Sequence, residues 1–110
     1  MKVSELVEKL ELKVYAGMDS LDTEITGGYV SDLLSDVMGF AKEGNVWITL
    51  QSHLNVIAIA SLKDLSCVIL VKNIVPGNDV IEKANEEGIP LLGSSSKTFE
   101  LAGEIYRLIF

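Results

Sequence analysis

Three short, mostly apolar runs set the rhythm of this chain: Val46-Trp47-Ile48-Thr49-Leu50, Cys67-Val68-Ile69-Leu70-Val71 and Ile89-Pro90-Leu91-Leu92. Val46 and Val68 stand 22 positions apart, and so do Val68 and Pro90. Each run has the length and β-branched content of a buried strand, and a segment with helical spacing follows it. The first helix is predicted over about His53 to Lys63. The second covers Asp79 to Glu87, with Asp79 as N-cap and Glu82 completing a capping box. The third runs from Thr98 onward with Leu101, Ala102, Ile105, Leu108 and Ile109 on its core face. Asn55 to Ala60 has strand-like composition, but it lies between two strands and its spacing continues into Ala60-Ser61-Leu62-Lys63-Asp64, which predicts a helix. Apolar strands alternating with helices predict a parallel sheet covered on both faces, a three-layer α/β/α architecture.

The first half is less regular. A helix is predicted over Ser4 to Leu10, capped by Ser4, with Glu5 complementing its dipole and Leu6, Val7 and Leu10 as its stripe. Leu12 to Tyr15 alternates as a strand does, Ala16 to Thr23 reads as a loop, and Glu24 to Val30 reads as a second strand containing Thr26-Gly27-Gly28. An amphipathic helix is predicted from Ser31 to about Glu43. Ser31 caps it, Leu33, Leu34, Val37, Met38 and Ala41 form its buried face, and Gly44-Asn45 ends it. Asp32 and Asp36 share a face of that helix and read as solvated acids, since nothing nearby perturbs them into a catalytic pair.

Composition narrows the class. The 110 residues suit one domain, residues 1–110, around one core. Nine basic residues against sixteen acidic ones give a net charge of −7, which opposes nucleic acid, and no Lys/Arg cluster offsets it. The longest uncharged stretch, Gly44 to Leu62, contains Asn45, Gln51, Ser52, His53 and Asn55, so a membrane span is not expected. The charged opening MKVSELVEKLELK lacks a signal-peptide core, and a cytoplasmic protein is expected. The single Cys67 sits in an apolar run and reads as a buried thiol in a reducing compartment.

The polar residues that follow the three strands fall on one rim of such a sheet: Gln51, Ser52, His53 and Asn55, then Lys72 and Asn73, then Ser94, Ser95 and Ser96 with Lys97. Helix N-termini at that rim present free N–H groups and a positive dipole, which suit phosphate or carboxylate. These nine residues, Lys97 aside, are the candidate ligand-binding set. Each has a plainer reading: the serines as a polar loop with a helix cap, and His53 as a side chain satisfying backbone groups at a helix start rather than reading a base or sugar edge. Trp47 reads as core. No phosphate-binding G-x-x-x-x-G-K-[ST], no G-x-G-x-x-G and no nucleophile elbow occurs, and one His and one Cys make no metal site. No catalytic residue, metal or cofactor is therefore expected.

The segments Asn45 to Val56, Val68 to Pro76 and Ala84 to Phe99 (ANEEGIPLLGSSSKTF), with the earlier Gly28-Tyr29-Val30-Ser31-Asp32-Leu33-Leu34-Ser35, resemble the DRTGG domain over about residues 24 to 108. That family is similar to the N-terminal domain of HPr kinase/phosphorylase, without its kinase site, and occurs beside CBS domains as a regulatory module. Some free-standing members are associated with iron-only hydrogenase systems. The resemblance thus implies an α/β layer fold of that kind without enzymatic activity. This chain carries Gln51-Ser52-His53 where the family has G-D-R, and Val71-Lys72-Asn73 where it has T-G-G. Two functions are expected: a regulatory module sensing a small anionic ligand such as a nucleotide, or a homodimeric accessory subunit that contacts a protein partner.

Overall fold

The computed structural model describes residues 1–110 as a five-stranded sheet between two helical layers. In chain order the elements are α1 (Val3–Leu10), β1 (Lys13–Ala16), a single 3₁₀ turn (Met18–Ser20), β2 (Gly27–Val30), α2 (Leu34–Phe40), β3 (Asn45–Thr49), α3 (Leu54–Leu62), β4 (Cys67–Leu70), α4 (Asn78–Glu87), β5 (Leu91–Gly93) and α5 (Thr98–Ile109). The strands lie in the order β1-β5-β4-β3-β2. β2 through β5 are parallel, and β1 pairs with β5 antiparallel. The mixed α/β, largely parallel architecture expected from the strand rhythm is the one the chain adopts.

Every residue of β3 and β4 is buried. Side-chain alternation sends Trp47, Val68, Leu70 and Leu91 toward α2, α3 and α4. It sends Val46, Ile48, Cys67, Ile69 and Leu92 toward α1 and α5. Trp47 has no exposed surface, and its indole N–H donates to the Ser31 carbonyl at 2.8 Å, so burial leaves no polar group unpaired. α3 is apolar around most of its circumference because α2 and α4 flank it while Val56, Ile57 and Ala60 face the sheet. Its strand-like composition is thus compatible with a helix that touches neighbours on several sides. Gly17 closes β1 at φ 75°, where a Cβ would lie 2.4 Å from the Ile89 carbonyl oxygen, so no larger residue fits.

Several local expectations are corrected. α2 spans seven residues, not Ser31 to Glu43, and both Leu33 and Met38 are exposed. Ser31 does not cap the helix: its hydroxyl accepts from the Leu33 N–H at 3.1 Å, turning residues 31–33 before the helix starts. The helix ends when Ala41 becomes extended, ahead of Gly44. Asp79 lies inside α4 behind Gly77 as N-cap and accepts from its neighbour Val80 N–H at 2.9 Å, so no capping box with Glu82 forms. α1 starts at Val3, which leaves Ser4 inside it, and the Glu5 carboxylate accepts from the Lys2 N–H at 3.1 Å. Leu108 of α5 is exposed, while Leu101 and Ile105 carry its core face.

Burial raises the Cys67 thiol from 9.0 to about 12, outweighing the hydrogen bond from the Ser66 hydroxyl, which lowers it. The unfolded thiol ionises first as pH rises, so stability falls between about pH 9 and 12 and is unaffected by this group below that window. Denaturation of wild type and Cys67→Ala across pH 8–11 should show an extra loss in wild type approaching ~1.4 kcal/mol per pH unit. A thiol reagent should label Cys67 only as the chain unfolds.

Candidate functional site

The connections after β3 and β4 lead to α3 and α4 on one face of the sheet, whereas that after β5 leads to α5 on the other. Adjacent parallel strands whose following chains part to opposite faces open a crevice at their C-terminal ends, where ligands bind in open α/β sheets. Here the split falls between β4 and β5. The residues around it are Lys72 and Asn73 after β4, and Ser94, Ser95, Ser96 and Lys97 after β5.

The two loops are stitched together. The Ser94 N–H donates to the Leu70 carbonyl at 2.9 Å, and the Lys72 and Asn73 N–H groups donate to the carbonyls of Ser96 and Ser94, each at 2.9 Å. Lys72 and Asn73 reach these positions by adopting left-handed backbone, φ 56° and 58°. Both hold the backbone that glycine favours. Asn tolerates this conformation, while a Lys there carries strain. The Ser94 hydroxyl is used internally, accepting from the Ser96 N–H at 3.1 Å. Ser95 and Lys97 are exposed, and α5 begins at Thr98 with Lys97 as N-cap and no side chain capping its free N–H groups.

Gln51, Ser52, His53 and Asn55 lie one strand away, at the end of β3. His53 is the N-cap of α3: its Nδ1 accepts from the Asn55 N–H at 3.1 Å, which places the neutral-ring proton on Nε2. The plainer reading of His53 is therefore the one it fulfils. Gln51 is also engaged, its side-chain amide donating to the Asp32 carbonyl at 3.1 Å. The sequence-predicted set thus divides into a β4–β5 group around the crevice and a β3 group in which the Gln51 and His53 side chains are held by local hydrogen bonds.

Three residues were not anticipated here. Asp32 is outside α2, and its carboxylate accepts from the buried Thr49 hydroxyl at 2.9 Å and the Leu50 N–H at 2.7 Å, clamping the end of β3 to that of β2. Lys13 stands opposite Gly93 in the antiparallel pair and so arrives at the same sheet edge, over the Tyr15 ring at 5.0 Å. Phe99, 88% exposed, stands in the first turn of α5. It is two positions before Leu101, off the core stripe, and that misregister was readable in the sequence. Lys13, Lys72 and Lys97 bring three of the nine basic residues of an acidic chain to the end of β5. Nowhere do three or more His, Cys, Asp or Glu side chains converge as metal ligands.

Two substitutions check this reading. Asp32→Ala leaves the buried Thr49 hydroxyl without its acceptor and should lower stability by ~1–3 kcal/mol in denaturant unfolding. Lys72→Gly should raise stability by ~0.5–1 kcal/mol, whereas β-branched Lys72→Val should lower it by about as much.

The DRTGG domain family matches residues 5–108. No curated protein matches the chain. A crystal structure of the CBS and DRTGG domains of the regulatory region of Clostridium perfringens pyrophosphatase, complexed with its activator diadenosine tetraphosphate, superposes with a TM-score of 0.74 at 16% identity. The match covers 98% of this chain and 45% of that one, so the chain spans under half the length of that protein's regulatory region. With the fold and nearly its whole length matched, this chain belongs to the DRTGG domain family.

Proposed function

We propose that this chain is a single-domain, cytoplasmic, non-catalytic regulatory module that binds a nucleotide at the β4–β5 split. The observation that carries the reading is the uncapped N-terminus of α5 beside that split, with Lys97 as its N-cap and Lys72 on the loop bonded to Ser96. Free helix N–H groups and the ammonium groups of Lys97 and Lys72 offer charge-assisted bonds to a phosphate. Phe99 presents an exposed ring in the first turn of α5, suited to stacking on a base. Of the carboxylates at this rim, Asp32 is occupied by Thr49 and Leu50, while Asp79 stands in the first turn of α4 and Glu100 in the first turn of α5. The regulatory role draws further support from family membership and from the nucleotide activator of the structural relative. His53 and Gln51 would contribute to a ligand only through atoms not already in local bonds: Nε2 of His53 and the side-chain oxygen of Gln51.

A second reading, a homodimeric or protein-binding subunit, is favoured by one separate observation: the exposed aromatic groove beside β2. The two readings use different surfaces and are compatible.

The test is thermal unfolding with ATP, diadenosine tetraphosphate and inorganic phosphate. A ligand at a hundred times its dissociation constant stabilises by ~2.7 kcal/mol, which for a chain of this size raises the midpoint by ~10 °C or more. Lys97→Ala should weaken nucleotide and phosphate alike, and Phe99→Ala should weaken only the nucleotides, about tenfold. The reading fails if none of the three compounds moves the midpoint at millimolar concentration.

A further inference from the structure

The two edges of the sheet are built differently. β1 carries Lys13 and a bulge between Val14 and Ala16, both devices that discourage another strand from pairing. β2, reading Gly27-Gly28-Tyr29-Val30, has no charge and no proline, and it pairs only with β3. Beside it runs a groove of about 470 Å³. Phe40, from the end of α2, and Tyr106 and Phe110, from the end of α5, stand around it at 70%, 68% and 75% exposure, with Val30 at 48%. The Tyr106 and Phe110 rings pack on each other at 5.0 Å, so they form one continuous apolar surface. Lys42 is the only charged side chain of the lining. The Tyr29 hydroxyl, at the same edge, is already used, donating to the Asp36 carboxylate at 2.9 Å.

We infer that β2 and this groove form the interface between two copies of the chain. β2 would pair antiparallel with its counterpart across a two-fold axis, joining two five-stranded sheets into one of ten. Charge selects the surface: at −7 per chain, two copies repel over most of their surfaces, and this groove presents no carboxylate side chain. Area agrees. Phe40, Tyr106, Phe110 and Val30 together expose on the order of 400–500 Å², over half of the ~800 Å² per partner that a standard interface buries. β2, with four residues, supplies only a few main-chain bonds, so the aromatic side chains provide most of the contact. This inference deepens the homodimer reading above and is independent of the nucleotide site.

Sedimentation equilibrium or light scattering at about 100 μM, above the ~1 μM expected for a weak interface of this size, should give twice the chain mass of 12.0 kDa. Val30→Lys on the strand and, separately, Tyr106→Asp on α5 should each weaken dimerisation tenfold or more while circular dichroism stays unchanged. Both positions are exposed in the single chain and lie on different elements, so one variant answers if the other misfolds. Leu62→Lys, an equally exposed apolar site on α3, should leave the mass doubled. A monomer at every concentration overturns both self-association and this surface, leaving the groove to a different protein. A dimer that survives both substitutions overturns the surface alone.

Discussion

Strands β3 and β4 have no solvent-facing side, and the rest of the molecule follows from covering them. Burying Trp47, Val68 and Leu70 on one side and Val46, Cys67 and Ile69 on the other requires a helical layer on each face. Parallel strands then return through helices, and every connection emerges at one of the two sheet ends. Polar groups near the buried strands must be satisfied there. Trp47 donates to Ser31, and Thr49 donates to Asp32, which also receives the Leu50 N–H. One turn after β2 therefore completes the hydrogen bonding of β3, and it does so by keeping residues 31–33 out of α2.

The same layering creates the crevice. α2, α3 and α4 share one face, while α5 crosses to the other to cover β2 and β3 beside α1. The chains leaving β4 and β5 consequently part, and the left-handed pair Lys72-Asn73 bends one loop back onto the other. That strain is local and is held by the bonds to Ser94 and Ser96. The N-terminus of α5, with Lys97 as its N-cap, and Lys72 on the adjoining loop then meet at the same end of the sheet.

The alternating half of the chain was legible because its strands are continuous apolar runs at even spacing and its last two helices have clear stripes. Val46 to Leu92 gave three strands and the intervening helices within a few residues. α2 was misread because Ser31-Asp32 has the chemistry of a helix cap, yet Asp32 is drawn to Thr49, a partner 17 positions away in sequence. Lys13 was invisible as a rim residue because nothing local reports that β1 runs antiparallel beside β5. The rim residues themselves were readable from strand ends. That Gln51, His53 and Ser94 are engaged in local hydrogen bonds while Ser95 and Lys97 are exposed is something spacing does not encode.

The open β2 edge and the end of β5 lie on different parts of the molecule, so pairing through one leaves the other accessible. The claim that matters most is that the β4–β5 split holds the ligand. Titrating ATP into ¹⁵N-labelled protein and following the backbone amide resonances tests it directly. The account predicts saturable shifts concentrated at Lys72, Asn73 and Ser94 through Glu100, with Gly27 to Val30 and Phe40 unmoved. An unchanged spectrum, or shifts centred on the β2 groove, would contradict it.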